Sequence, residues 1–253
     1  MRDNLLYILI FISYSCFGQE ILPEWQWQNG RKTDFSSVRG FSAGLQFENI
    51  YGTDKLTAVS VKLRYCDPDI NTIAAAGIEM LPSSDFNLST FFIHYTYVAN
   101  PVWSISNAYL RQKLKFRENG NSMISHRTGL TGTITKPPLY FSATLQYQID
   151  ETYQGRSGLW WVSANLLYSI NKSIILSAEI RTPDPRIEPM VSLELNHQAG
   201  QKWGYGIGIG LPSPYFGFRL FLQLYKELAL EVKSRRHPFL GFSHSAGILY
   251  NTI

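Results

Sequence analysis

The sequence predicts an all-β protein whose strands form a closed antiparallel transmembrane β-barrel, with about fourteen strands and twelve as the alternative count. Three observations support this. Aromatic residues make up 14% of the 253 residues and charged residues only 17%, below the roughly 25% usual for charged residues in soluble domains. The mean hydropathy of −0.11 is nevertheless slightly polar. Apolar and polar residues alternate along most of the chain, so one face of each strand can contact lipid without raising the average.

Composition and charge exclude several other classes. Beyond the N-terminus, no run of about 18 apolar residues could cross a bilayer as a helix, which excludes a helical membrane protein. The net charge of +4 is spread along the chain. Its densest basic cluster, residues 235–237, is too short to indicate nucleic-acid binding.

The first residues have the pattern of a secretory signal peptide. Arg2 precedes an apolar stretch over residues 5–14, and Cys16 and Gly18 provide small side chains before a cleavage site at Gln19. The alternatives are a buried N-terminal strand or helix, and a lipoprotein signal with Cys16 lipidated. We expect a signal peptide over 1–18, a periplasmic or lumen-inserted segment over 19–37 and the barrel over 38–253. Only Cys66 would then remain, which leaves no intramolecular disulfide.

Fourteen stretches bounded by turn residues are candidate strands. They cover residues 38–49, 56–66, 72–80, 86–98, 102–116, 123–135, 139–150, 159–170, 173–181, 189–199, 203–211, 215–224, 228–234 and 240–250. In residues 139–150 apolar side chains occupy every second position, a period of two that an amphipathic helix cannot produce. The eighth and ninth stretches repeat this pattern on either side of Asn171-Lys172, which predicts an antiparallel hairpin.

The pattern resembles that of Gram-negative outer-membrane β-barrels over nearly the whole mature chain. The C-terminal residues 246–253, AGILYNTI, are similar to the final strand that the barrel-assembly machinery recognises, although Ile253 replaces the commonest final Phe. The strand number also resembles that of fatty-acid transporters and of barrels associated with type IX secretion. The resemblance implies an outer-membrane location, contact with outer-membrane lipid and the assembly machinery, and no particular site residue.

Connection lengths predict the orientation, and aromatic residues predict the two membrane interfaces. Short connections follow even-numbered stretches, whereas longer ones, over residues 117–122, 151–158 and 182–188, follow odd-numbered stretches. Since short turns face the periplasm in such barrels, both termini are expected there. Aromatic belts at the two membrane interfaces would include Trp103, Tyr109, Tyr140, Trp160, Trp161, Trp203, Tyr205 and Tyr215.

Charged residues between the apolar positions are candidates for lining the lumen. They are Lys62, Arg64, Arg111, Lys113, Lys115, Arg127, Glu179, Arg181, Glu194, Arg219, Glu231 and Lys233. Cations outnumber anions in this set, which would favour anions in an open channel. The alternative is that these residues pair with each other across a packed interior.

Two further segments have alternative interpretations. Residues 19–37, with Trp25, Trp27, Arg31 and Lys32, could plug the lumen, bind a periplasmic protein partner, or form a disordered tail. In position the segment resembles the N-terminal hatch of fatty-acid transporters. The alternate glycines from 204 to 210 face inward, where they could admit a ligand or the N-terminal segment, or permit curvature of the sheet.

The histidines do not form a recognisable catalytic or metal-binding pattern. In Ser243-His244-Ser245 both serines are adjacent to the histidine and therefore point to the opposite face of a strand. His126 shares a face with Thr128, a poor substitute for serine as a nucleophile. We therefore expect no enzyme and no cofactor. Two functions remain: a passive channel for small solutes or lipid-like molecules, and a non-conducting anchor or component of a secretion or envelope assembly.

Overall fold

The computed structural model describes residues 40–49, 56–67, 69–100, 102–118, 120–152, 155–171, 173–182, 190–199, 202–211, 215–225, 227–237 and 241–251. The signal peptide and the segment over 19–37, with Trp25, Trp27, Arg31 and Lys32, lie outside these residues. None of the described residues belongs to a helix that is long and apolar enough to cross a membrane.

The regular elements of the described residues are β-strands. They are β1 Gly40–Asn49, β2 Thr57–Asp67, β3 Thr72–Pro82, β4 Phe86–Val98, β5 Trp103–Phe116, β6 Ser122–Lys136, β7 Leu139–Thr152, β8 Gly155–Ser169, β9 Ile174–Thr182, β10 Met190–His197, β11 Trp203–Leu211, β12 Tyr215–Gln223, β13 Leu228–His237 and β14 Gly241–Asn251.

Antiparallel pairing of consecutive strands, and of β1 with β14, closes the sheet into a barrel. The closing register places Ser42 opposite Asn251 and Asn49 opposite His244. The prediction of a closed antiparallel barrel with fourteen strands is confirmed. We call the end where β1 begins and β14 ends the terminal rim, and the opposite end the distal rim.

The outer face of the barrel is apolar because alternate side chains point away from the lumen. Leu145 and Val162 are 49% and 54% exposed, whereas Thr144, between the outward positions of β7, is 8% exposed. Exposed aromatic side chains lie near the terminal rim on several strands: Tyr65, Tyr97, Trp103, Tyr168, Trp203 and Tyr250. Such a surface is suited to lipid, with aromatic rings at the interface.

The predicted long connection over residues 151–158 is wrong. The ladder between β7 and β8 continues to Thr152 opposite Gly155, so only residues 153–154 join the two strands. Turn-forming residues at 155–158 suggested a loop, but backbone pairing needs no apolar side chains. Gly158 has a packing role there, because an added Cβ would lie 2.9 Å from Cζ of Tyr147.

The inner wall as candidate functional site

Hydroxyl side chains form a stripe across the inner wall of β4 to β8. The register links Thr96 to Ser106, Ser106 to Thr131, Thr131 to Thr144 and Thr144 to Ser163. We call these five residues the hydroxyl stripe. Ser104, Thr133 and Ser142 form a second row beside it.

Members of the hydroxyl stripe bond to each other across strands. The Thr131 and Thr144 hydroxyl oxygens lie 2.8 Å apart, and those of Thr96 and Ser106 lie 2.9 Å apart. Thr131 is only 5% exposed, although it faces the interior of the barrel. Cross-strand hydroxyl pairs stabilise a sheet modestly, and their remaining lone pairs can accept hydrogen bonds from a solute or from water.

A chain of ion pairs covers the inner wall of β10 to β13. Arg219 Nε lies 3.2 Å from Glu231 Oε1, and its Nη1 lies 3.7 Å from Glu194 Oε1. Lys233 Nζ lies 3.4 Å from the second oxygen of Glu231. We call these four residues the ion-pair network. The charges lie largely away from water, where breaking one pair costs far more than at an exposed surface.

The inward glycines of β11 make room for this network. Gly206 lies opposite Asn196 on one side and Arg219 on the other. An added Cβ at Gly206 would be 3.1 Å from Glu194 Oε1 and would overlap the Asn196 amide. Because the inward positions of β11 carry no side chains, Arg219 can reach Glu194, two strands away. This accounts for part of the glycine run without requiring a ligand.

A third polar group lies on β6 to β8. Arg127 donates two hydrogen bonds to Gln148 Oε1, at 3.1 and 2.6 Å, and Gln148 Nε2 donates to Asp150. The Arg127 guanidinium also lies 4.7 Å from the centroid of the Trp161 ring. Trp161 is therefore an inner-wall residue, held by a cation–π contact.

Besides Lys233, eight of the twelve predicted lumen positions lie on the inner wall. They are Lys62, Arg64, Arg127, Glu179, Arg181, Glu194, Arg219 and Glu231. Glu179 and Arg181 form an ion pair on β9 at 2.5 Å. Lys233, also predicted to face inward, belongs to the ion-pair network.

The predicted lumen positions Arg111 and Lys113, with Lys115, are wrong. On β5 the buried inward positions include Ser106, Leu110 and Leu114. The three basic side chains occupy exposed outward positions of the same strand. The reason is that β5 extends towards the distal rim beyond the outer apolar surface. In that region the outer face is polar and the inner face is apolar, so the rule that charges point inward no longer applies.

The inner apolar surface near the distal rim was not predicted. It is formed by Leu81, Phe86, Leu88, Leu114 and Phe116 on β3 to β5, with Leu81 only 2% exposed. The alternation of polarity was visible, but sequence alone did not show where each strand leaves the membrane. The side chains are packed as in a soluble core.

Because three of the predicted lumen cations lie on the outer face, the charge balance of the inner wall differs from the prediction. Inward positions in the described residues hold seven cations, Lys62, Arg64, Arg127, Arg181, Arg219, Lys233 and Arg235, and six anions, Glu48, Glu79, Asp150, Glu179, Glu194 and Glu231. The expected excess of cations therefore nearly disappears. Glu48, Glu79 and Arg235 were not among the predicted lumen positions, and each lies within three residues of the end of its strand.

The predicted aromatic belts are confirmed only in part by the faces of their residues. Trp103, Tyr109, Trp160, Trp203 and Tyr205 occupy outward positions. Tyr140 and Trp161 point inward, because the rows through them contain Thr135 and Gln146 on neighbouring strands. The Tyr215 side chain lies outside the described set.

The histidines occupy unrelated positions. His244 is exposed on the outer face, and Ser243 and Ser245 lie on the inner face, as the alternation predicted. His126 Nδ1 lies 2.8 Å from the Tyr109 hydroxyl, which is also on the outer face. No group of three or more potential metal ligands occurs among the described residues.

The fold is similar to that of several solved channels. The monoaromatic hydrocarbon channel CymD has a TM-score of 0.58 and 10% identity, with 92% of this chain and 93% of that chain covered. The toluene transporter TodX of P. putida has a TM-score of 0.57 and 9% identity, covering 88% and 92%. The toluene transporter TbuX of Ralstonia pickettii has a TM-score of 0.56 and 8% identity, covering 85% and 89%.

No protein-family model matches the chain, and no curated protein matches it in sequence. At identities of 8–10%, the likeness to the solved channels establishes the outer-membrane barrel fold and not a shared substrate.

Proposed function

We propose that this chain is a passive outer-membrane pathway for small, hydrogen-bonding solutes without net charge. The observation that carries the proposal is the composition of the inner wall. The hydroxyl stripe can form hydrogen bonds with neutral solutes, and the ion-pair network neutralises most of the charge on another part of the wall. A wall of this kind favours neither anions nor cations strongly.

The proposed location is the outer membrane with both termini in the periplasm. The apolar outer face and the even strand number support the location, and the fold likeness to hydrocarbon channels fits a pathway role. Connection lengths support the orientation: the longest connections in sequence, residues 50–56 and 183–189, both join strands at the distal rim. The difference between the two ends is smaller than the sequence predicted, because residues 155–158 belong to β8.

A non-conducting membrane anchor is the second candidate. The low exposure of inner-wall side chains favours it, since Thr90 and Ser125 are only 2% and 4% exposed. A widely open lumen would expose such residues to water. An anchor of this kind would use the rims or the segment over 19–37 to bind a periplasmic protein.

Swelling of proteoliposomes tests the two candidates. Vesicles containing the folded protein are diluted into isotonic arabinose, glucose or a larger oligosaccharide, and we expect swelling that slows as the solute becomes larger. The variant Ser106→Trp places an indole on the inner wall and should reduce the rate severalfold. Its matched control, Ile105→Trp on the outer face of the same strand, should leave the rate unchanged. A folded wild-type barrel that admits no solute would support the anchor.

A further inference from the structure

Three basic side chains form a strip on the outer face of β5 beside the distal rim. Arg111, Lys113 and Lys115 occupy successive outward positions and are exposed. Outward neighbours along a strand are about 6.8 Å apart, so the strip extends over roughly 13 Å. We call these three residues the basic strip.

Four of the six outward neighbours of the basic strip are polar, and none of them is an acid. The outward residues opposite it are Asn87, Ser89 and Phe91 on β4 and Ser122, Ile124 and His126 on β6. No ion pair within the described part of the chain involves the strip. The acids of nearby segments are Asp85 and Glu118 in the connections, and Glu151 on β7, which the register separates from Lys113 by Ile124.

The strip lies where the outer apolar surface ends. Below it on β5 the outward positions run from Trp103 to Tyr109, and β4 presents Ile93 and Tyr95 beside them. From Trp103 to Lys113 the strand rises about 34 Å along its own axis, or about 25 Å along the barrel axis at the usual tilt. This equals the height of a typical apolar band, so Lys113 and Lys115 lie at headgroup level. Arg111 lies just below and can extend its side chain to the same level.

We propose that the basic strip binds the phosphate groups of lipid A in the outer leaflet. The inference rests on the proposed orientation, in which the distal rim is extracellular. Guanidinium and ammonium groups form charge-assisted hydrogen bonds with phosphate, and these are strongest where water is partly excluded, as at a lipid interface. Spacing along one strand lets several cations contact one large headgroup. The charge of the basic strip, at the edge of the outer apolar surface, then has a ligand.

Binding of diphosphorylated lipid A to the full chain, refolded in neutral detergent, tests the proposal. The probe is a fluorescent lipid A, and the variant combines Arg111→Gln, Lys113→Gln and Lys115→Gln. We expect at least a tenfold weaker affinity for the variant, because each basic residue near a lipid surface contributes to binding. The control combines Lys136→Gln and Lys202→Gln, two exposed basic residues at the terminal rim, and should bind within about twofold of wild type.

Unchanged affinity in the triple variant would overturn the proposal, as would equal affinity for dephosphorylated lipid A. Equal affinity for phosphatidylglycerol would overturn the assignment to lipid A. A heat-dependent shift in electrophoretic mobility reports that each variant is folded. If the triple variant does not fold, the single changes Lys113→Gln and Lys115→Gln should each weaken binding severalfold. Swelling assays on the same preparations distinguish failure of the lipid A site from failure of the proposed channel. A protein that binds lipid A but admits no solute contradicts only the channel.

Discussion

Arg219 on β12 contacts Glu194 on β10 across the whole width of β11, with 3.7 Å between Nη1 and Oε1. The contact is possible because Gly206 and Gly208 leave the inner face of β11 without side chains between the two charged groups. The inward glycines of β11 and the ion-pair network are therefore one structural feature. The absence of inward side chains on β11 allows the charged side chains of β10 and β12 to pair.

The first prediction concerns this dependence on glycine. Gly206→Ala should lower the free energy of unfolding by about 1 kcal/mol or more, because the added methyl group overlaps Asn196 and approaches Glu194. Gly208→Ala is the matched control, since its added Cβ would have no contact closer than 3.5 Å. Urea unfolding in detergent, followed by tryptophan fluorescence, measures both. Equal losses in the two variants would contradict the packing role assigned to Gly206.

The second prediction concerns coupling within the ion-pair network. Glu231→Gln removes the carboxylate shared by Arg219 and Lys233 and should destabilise the barrel by about 3 kcal/mol, as expected for a largely buried pair. In the Arg219→Gln background the same change should cost clearly less, because one of the two partners is already gone. The double-mutant cycle is measured by the same unfolding assay. Strict additivity would mean that the contact contributes nothing to stability.

The third prediction concerns the hydroxyl stripe. Thr131→Val removes the 2.8 Å contact with Thr144 and should destabilise the barrel by about 1 kcal/mol, the usual net contribution of such a hydrogen bond. Thr128→Val changes the same residue type at an exposed outward position of the same strand and should be neutral or stabilising. A larger loss at Thr128 than at Thr131 would contradict the assigned faces of β6.

The fourth prediction tests the faces of β5 near the distal rim. In a Cys66→Ser background, Lys113→Cys should react rapidly with a membrane-impermeant maleimide, because Lys113 is exposed on the outer face. Leu114→Cys should react at least tenfold more slowly, since Leu114 is 3% exposed within the inner apolar surface. Mass spectrometry of the labelled protein gives both rates. Faster labelling at 114 would restore the lumen position first predicted for Lys113.

Much of the fold could be predicted because a strand that separates lipid from an interior needs a period of two. In β7 and β8 both faces are regular over their membrane-spanning parts, and the predicted faces agree with the structure. The same rule assigned Arg111 and Lys113 to the lumen. The polarity of a strand face indicates that the face contacts water. It does not indicate whether that water lies in the lumen or outside the barrel, beyond the edge of the membrane.

The sequence predicted which residues line the inner wall better than it predicted which of those residues contact each other. Arg219, Glu231 and Glu194 are inward by alternation alone, whereas their pairing depends on register across β11 and β12. Register depends on the geometry of the turn between two strands and on the match of their apolar faces, so it belongs to a pair of strands and cannot be read from one strand alone. For the same reason the hydroxyl stripe was not foreseen, since Thr96, Ser106, Thr131 and Thr144 align only once four strands are paired.

Single-channel recording of the folded protein in planar bilayers is the most direct test of the central claim, a pathway with a nearly charge-balanced wall. Under a potassium chloride gradient, we expect stable conductance with a reversal potential close to zero, because inward cations and anions are nearly equal in number. A folded barrel that inserts and remains silent would contradict the pathway.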